Sequence, residues 1–307
     1  MMKLLLSKPR GFCAGVERAI ETVEKALERF GSPIYVKHEI VHNRHVVEDL
    51  KRKGAIFVED LEEVPFGSRI IYSAHGVSPA VRDQAKRLGL IEIDATCGLV
   101  TKVHSAVKRY AAKGYKVILI GHKNHVEVVG TAGEAPDVTT IVEDVEDVGR
   151  LQFSSSEKLF YTTQTTLSLH DVKVVTEALL AKFPQIETLP SSSICYATTN
   201  RQIALSQITD QTQLILVIGD PSSSNSNRLR ELAALQNVKS YLINDEKEID
   251  PIWLKGVQVI GLTAGASTPE YIVQGCISKL QELGVQQVED VVFVEENVVF
   301  QLPKQVL

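Results

Sequence analysis

The stretch Lys3–Phe30, KLLLSKPRGFCAGVERAIETVEKALERF, decides the fold class. Lys3 to Leu6 is a short apolar run of the kind that forms a buried strand. From Val16 to Phe30 the period changes, and Ile20, Val23, Ala26 and Leu27 fall on one helical face. Between the two lies a tight loop holding Gly11 and Cys13. The same alternation recurs along the chain. Further strands are expected at Ile34–Val36, Arg69–Tyr72, Ile91–Ile93, Lys116–Ile120, Leu159–Thr162, Leu214–Ile218 and Val257–Leu262, with helices after most of them. That order is the signature of an α/β protein. Ser168-Leu169-His170-Asp171 reads as a capping box for a helix running to Phe183, and Pro269 suits the first turn of a helix running to Leu283. Ser154–Ser156 and Ser191–Ser193 read as surface turns.

At 307 residues the chain is longer than a single core normally supports, so two or three packed lobes are expected. Apolar residues make up 44% and charged residues 23%, the balance of an ordinary globular protein rather than a disordered or fibrous one. The net charge of −5, with no basic run, argues against a nucleic-acid partner and against an anionic membrane surface. The opening apolar run ends at Leu6, too short for a signal segment or a membrane span, and a cytoplasmic location is expected. In a reducing compartment four cysteines are buried, catalytic or metal-bound rather than a disulfide framework.

Three of the four share a context. Arg10-Gly11-Phe12-Cys13-Ala14-Gly15-Val16, Asp94-Ala95-Thr96-Cys97-Gly98-Leu99-Val100 and Ser193-Ile194-Cys195-Tyr196-Ala197-Thr198-Thr199 each place a cysteine immediately before a helical run. Cys13 and Cys97 also follow a clear strand. The three fall at similar intervals, so each would head a lobe of comparable size: 1–96, 97–194 and 195–307 with a C-terminal tail. A helix N-terminus carries free N–H groups and positive potential, which favours thiolate, the form that binds metal. Any one of them taken alone reads as a small buried hydrophobe; three in one context read as ligands. Cys276, mid-helix between Gly275 and Ile277, keeps the bland reading.

Histidines show a second repetition. His38 and His42, His75, and His122 and His125 stand where apolar runs end, and ligands of α/β proteins gather at the carboxyl ends of strands. His45, His104 and His170 fall inside helical stretches and read as solvated or satisfied structural residues. In the last third of the chain, hydroxyls and amides take the place of histidine: Gly219-Asp220-Pro221-Ser222-Ser223-Ser224-Asn225-Ser226-Asn227-Arg228 and Thr263-Ala264-Gly265-Ala266-Ser267-Thr268-Pro269. Each is a strand, a small polar loop and a helix start, an arrangement that offers donors to an oxyanion. Neither loop matches the Walker pattern and no dinucleotide glycine fingerprint follows the first strand, so the phosphate is expected on the substrate.

Together and in order, these strings resemble one family, the 4-hydroxy-3-methylbut-2-enyl diphosphate reductases. The carrying residues are Gly11–Val16, Glu39-Ile40-Val41-His42-Asn43, Ser73-Ala74-His75-Gly76-Val77, Asp94–Cys97, Thr163-Gln164-Thr165-Thr166, Ile194–Gln202, Ser223–Arg228 and Thr263–Ser267, spread over almost the whole length. The resemblance implies three α/β lobes arranged as a trefoil around a 4Fe-4S cluster held by Cys13, Cys97 and Cys195, its fourth iron open to the substrate. It also implies a diphosphate-binding set of His42, His75, His125, Ser223, Ser224, Asn225 and Ser267, with Glu127 as proton donor and Thr165 as the hydroxyl that assists it. The implied reaction is reductive removal of a hydroxyl from the allylic diphosphate, giving isopentenyl and dimethylallyl diphosphate as the last step of the methylerythritol phosphate route. A ferredoxin or flavodoxin would supply electrons, since no flavin or nicotinamide motif is present. Two departures stand out. The family usually has proline after its second cysteine and between His125 and Glu127, where this chain has Gly98 and Val126, a change expected to loosen the Glu127 loop. The rival readings are a Cys/His zinc metallohydrolase with Glu127 as base and a non-catalytic iron-sulfur redox sensor.

Overall fold

The computed structural model describes residues 2–307. Its strands are β1 (Met2–Lys8), β2 (Ile34–Lys37), β3 (Ala55–Val58), β4 (Arg69–Tyr72), β5 (Ile91–Asp94), β6 (Lys116–Ile120), β7 (Thr139–Val142), β8 (Leu159–Thr163), β9 (Glu187–Thr188), β10 (Leu214–Ile218), β11 (Lys239–Ile243), β12 (Val259–Ala264) and β13 (Val285–Val292). Its α-helices are α1 (Ala14–Phe30), α2 (Arg44–Arg52), α3 (Pro79–Arg87), α4 (Gly98–Ala112), α5 (Val126–Ala132), α6 (Val145–Arg150), α7 (Leu169–Lys182), α8 (Tyr196–Thr209), α9 (Ser224–Leu235) and α10 (Glu270–Glu282). All strand pairs among the described residues are parallel, as the alternation of strand and helix required.

The chain divides into two compact units. The first comprises Met1–Val16, His42–Val46 and Tyr196–Val299. It holds a five-stranded sheet in the order β11-β10-β12-β1-β13. Leu214 to Ile218 are all fully buried because β10 lies inside this sheet with both faces covered, which is why it reads as an unbroken apolar run. β1 pairs with β12, Leu4 opposite Ile260, so the first strand of the chain joins the sheet of the last third rather than that of the strands following it. Chain order did not reveal this, since β1 and β2 look alike in composition.

The second unit comprises Glu17–Val41, Val47–Cys195 and Phe300–Leu307. It holds two four-stranded sheets, β3-β2-β4-β5 and β7-β6-β8-β9. Each sheet contains a reversal of strand order: between β10 and β12, between β2 and β4, and between β6 and β8. Loops leaving the carboxyl ends at such a reversal splay apart and leave a crevice, the usual ligand position in open α/β sheets. The loops after β2, β4, β6, β8, β10 and β12 are those in which the sequence places its histidines, Thr165 and serines.

Ser168 caps α7 as expected, its Oγ accepting the Asp171 N–H at 3.3 Å. Pro269 sits one position earlier than expected, as the N-cap of α10 in an extended conformation. No helix among the described residues is long and apolar enough to cross a membrane.

Candidate active site

In the second unit the predicted residues form one continuous set of contacts. The Cys97 N–H, at the N-cap of α4, donates to the Ala74 carbonyl at 3.0 Å. Ala74 neighbours His75, whose Nδ1 lies 3.2 Å from the Ser73 hydroxyl. The His75 ring meets that of His125 edge to face, centroids 6.0 Å apart. His125 is the N-cap of α5, and its Nδ1 accepts the Glu127 N–H at 3.2 Å. Glu127 is 3% exposed, and both its carboxylate oxygens are held by Thr165: the backbone N–H donates to Oε1 at 2.6 Å and the hydroxyl to Oε2 at 2.9 Å. The Thr165 carbonyl in turn accepts the Cys195 N–H at 3.0 Å. Six of the residues singled out in the sequence thus lie on one path from Cys97 to Cys195.

Val126 stands between His125 and Glu127 in this arrangement. It occupies the first turn of α5, and Glu127 is aimed by Thr165 rather than by the residue before it. Gly98 has a separate reason for its size: a Cβ there would lie 3.3 Å from the ring of Phe300.

In the first unit, the Cys13 loop is stitched to the loop after β12, with the Gly11 N–H donating to Ala264 and the Cys13 N–H to Ala266. Ser267, on that second loop, donates its hydroxyl to the His42 carbonyl at 2.8 Å. The loop after β10 packs beside them, for a Cβ on Gly265 would sit 2.0 Å from Ser226 Oγ and 3.6 Å from Asn225 Nδ2. Ser223 is the N-cap of α9. Asn225 is 4% exposed, and neither its amide nitrogen nor its side-chain oxygen has a hydrogen-bond partner among the described residues. A buried amide without partners is costly, and it is accounted for where a ligand supplies them. Asp220 braces the loop, accepting from the Ser222 hydroxyl and from the Arg44 N–H. Burial alone would raise its carboxyl, but these bonds and the nearby His42 hold it below the ordinary range.

Arg201 is the residue that sequence reasoning passed over. It lies on α8, fully buried, and donates to the carbonyls of Gly11 at 2.7 Å, Phe12 at 3.3 Å and Ala197 at 3.0 Å, and to Glu296 at 3.2 Å. It fixes the backbone on which Cys13 stands. Within Tyr196–Thr209 its position among Ala204, Leu205 and Ile208 was the available signal, because a cation on a helix that is otherwise buried needs internal acceptors.

Cys13, Cys97 and Cys195 are partly exposed thiols outside any disulfide, each just ahead of a helix of at least fourteen residues. That donor set fits an iron-sulfur centre, whose iron takes thiolates. Cys276 differs: it is fully buried, and burial, with Glu246, Asp245 and Glu248, pushes its thiol up to about 12. His104, expected to be structural, is buried against Glu134, Nδ1 to Oε1 2.9 Å. His45 lies in α2 near Asp245 and His170 is exposed on α7.

Parallel sheets whose loops carry partly exposed thiols, imidazoles and an oriented buried carboxylate define a class, the α/β enzymes. The particular family is given by comparison. The model of the LytB protein family matches residues 4–281, and the chain belongs to that family. A protein of Protochlamydia amoebophila named 4-hydroxy-3-methylbut-2-enyl diphosphate reductase is 76% identical over 306 residues, covering 100% of this chain and 98% of the relative. The reductase of Chlamydia muridarum is 60% identical, covering 99% of each. Among solved structures, the E-1-hydroxy-2-methyl-but-2-enyl-4-diphosphate reductase from Plasmodium falciparum superposes with a TM-score of 0.96 at 50% identity, covering 99% of this chain and 96% of that one. A second, titled (E)-4-hydroxy-3-methyl-but-2-enyl diphosphate reductase, the terminal enzyme of the non-mevalonate pathway, matches at 0.65 and 32%, covering 92% and 100%.

Proposed function

We propose that this protein reduces 4-hydroxy-3-methylbut-2-enyl diphosphate, removing its hydroxyl to give isopentenyl and dimethylallyl diphosphate as the last step of the non-mevalonate route. The observation that carries the reading is Glu127, a carboxylate 3% exposed whose two oxygens are both held by Thr165, on an unbroken path of contacts from Cys97 to Cys195. A solvated surface acid has neither the burial nor the fixed aim.

Cys13, Cys97 and Cys195 would hold a 4Fe-4S cluster, which supplies single electrons and, with three protein thiolates, one iron open to act as a Lewis acid. The protein's own residues do the rest. His42, His75 and His125, with Ser223, Ser224, Asn225 and Ser267, bind the diphosphate; the partnerless Asn225 amide supports this, since it has donors to give an oxyanion. Glu127 gives up the proton, and Thr165, donating to both of its oxygens, fixes how that carboxyl is aimed. Burial around Glu127 and Thr165, 3% and 4% exposed, keeps water from competing for that proton. Protonation at either end of the allyl unit gives the two products. Two electrons per turnover come from a ferredoxin or flavodoxin.

Anaerobic assay with the allylic diphosphate and a reduced carrier tests the whole reading. A brown protein containing iron and sulfide that forms both five-carbon diphosphates is the expected result. A colourless, zinc-loaded protein, or a brown one without turnover, would overturn it.

A further inference from the structure

Arg18, on α1, has no part in the site described so far, yet its guanidinium ends on the turn that leads into Cys97. One terminal nitrogen donates to the Thr96 carbonyl at 3.0 Å and the other to the Asp94 carbonyl at 3.2 Å. The same two peptides are held from their other side. The Ala95 N–H donates to the Tyr72 carbonyl at 3.1 Å and the Cys97 N–H to that of Ala74 at 3.0 Å. A peptide unit is planar, so one tied at both its oxygen and its nitrogen does not turn. The direction in which the Cys97 side chain leaves the backbone is fixed with it. The remaining donor, Nε, meets the Gln301 carbonyl at 2.7 Å, so the end of the chain backs the guanidinium. Phe300, next to it, lies over Gly98, the residue after the cysteine: a Cβ there would be 3.3 Å from its ring.

Cys13 stands on a matching construction in the first unit. Arg201 donates to the carbonyls of Gly11 at 2.7 Å and Phe12 at 3.3 Å, while the N–H groups of Gly11 and Cys13 go to Ala264 and Ala266. Glu296 backs that guanidinium at 3.2 Å. At both cysteines an arginine takes the carbonyl of the peptide entering the cysteine and one carbonyl before it.

We propose that Arg18 is a positioning residue for Cys97, the counterpart of Arg201 at Cys13, and that it sets how firmly Cys97 holds the cluster. The proposal rests on the reading of these cysteines as cluster ligands, although the clamp itself is a property of the protein alone. A planar guanidinium presents its donors in a fixed fork, and three carbonyls at once are beyond the reach of an ammonium on a flexible stem. Ala95 is fully buried and Thr96 6% exposed, so water is a poor replacement for the lost donors. Contacts of this kind orient a metal ligand before the metal arrives, and their loss typically costs ten- to a hundredfold in metal affinity.

The test begins with the metal-free protein and follows alkylation of each cysteine by mass spectrometry in the parent, Arg18→Gln, Arg18→Lys and a chain ending at Val299. In Arg18→Gln, Cys97 should react about tenfold faster, the order expected when a local opening loses a charge-assisted hydrogen bond. Cys13 and Cys195, held by other partners, should keep their rates. Arg18→Lys retains the charge without the fork and should fall between parent and Arg18→Gln. So should the shortened chain, which lacks Gln301 and Phe300. After anaerobic loading, Arg18→Gln should hold iron roughly ten- to a hundredfold less tightly against a chelator than the parent. Unchanged alkylation of Cys97 in Arg18→Gln would overturn the assignment. A parallel rise at all three thiols would do the same, because it marks a residue that only stabilises the fold. An Arg18→Lys protein equal to the parent would also overturn it, since charge without the fork would then suffice. A parent that takes up no iron and sulfide, while Cys97 still answers to Arg18, would overturn the cluster reading and leave the clamp standing.

Discussion

Cys13, Cys97 and Cys195 differ from Cys276 in what surrounds the sulfur. The first three are partly exposed ahead of helices, whereas Cys276 is sealed in α10 among carboxylates that keep its thiol neutral. Serine is a harder and far less acidic ligand for iron. Replacing any of the three by serine should therefore lose or cripple iron and sulfide loading, and Cys276→Ser should keep both; a fully loaded, active Cys195→Ser enzyme would refute the assignment. Glu127→Gln makes the complementary cut. Glutamine can still accept from Thr165 but has no acidic proton to give, so loading and substrate affinity should hold while reduction falls roughly a hundred- to ten-thousandfold. Single-turnover rates with pre-reduced enzyme check this, and a near-parent rate would move the proton donor elsewhere. At this scale the sequence was legible where chemistry is local. A cysteine before a helix, or a histidine after a strand, carries its context with it. Arg201 was not, because its acceptors, Gly11, Phe12 and Glu296, lie far along the chain and only folding brings them to it.

At the scale of elements the same division holds. Strands buried on both faces, such as Leu214–Ile218, announce themselves as apolar runs. The edge strands Thr139–Val142, Lys239–Ile243, Glu187–Thr188 and Val285–Val292 escaped notice because one side faces solvent and their composition is mixed, whereas Ala55–Val58, also at an edge, is an apolar run only four residues long. Helix starts were legible through their caps, and α5 shows what the caps leave open. Val126 is its first residue, where proline is the better fit, since the N–H it lacks is not part of the intrahelical ladder. His125 before it has φ −74° and ψ 134°, the extended region that a following proline demands. Val126→Pro should thus introduce no clash with the preceding backbone. It should raise stability by about 0.4–1 kcal/mol through the unfolded chain, with turnover unchanged because Thr165 already aims Glu127. Thermal unfolding of the metal-free protein measures the gain; a drop in midpoint would mean that α5 begins differently.

For the molecule as a whole, each unit holds a turn next to its site with an aspartate whose ionised form does the holding. In the second unit Asp94 accepts from the Thr96 N–H and hydroxyl and from Arg82, in the turn that presents Cys97. Burial would raise its carboxyl, but Thr96 and Arg82 outweigh burial and leave it below the ordinary range. In the first unit Asp220 braces the serine loop in the same way and is lowered too. Because the folded values lie below the unfolded one, about 3.9 for aspartate, each group's contribution is complete above that pH. It is lost as pH falls through the folded value, when the carboxylate protonates and the turn loses its acceptor. The urea midpoint of the metal-free protein should therefore be flat from neutral pH down to about 5 and fall steeply below about 4. Asp94→Asn removes the charge at every pH. That variant should start from a lower midpoint at neutral pH and decline less over the acid range, with alkylation of Cys97 faster at neutral pH because its turn is no longer clasped. Parallel acid limbs for parent and variant would show that Asp94 contributes nothing through its charge, and the clasp on Cys97 would then have to come from Arg18, which donates to the carbonyls of Thr96 at 3.0 Å and Asp94 at 3.2 Å.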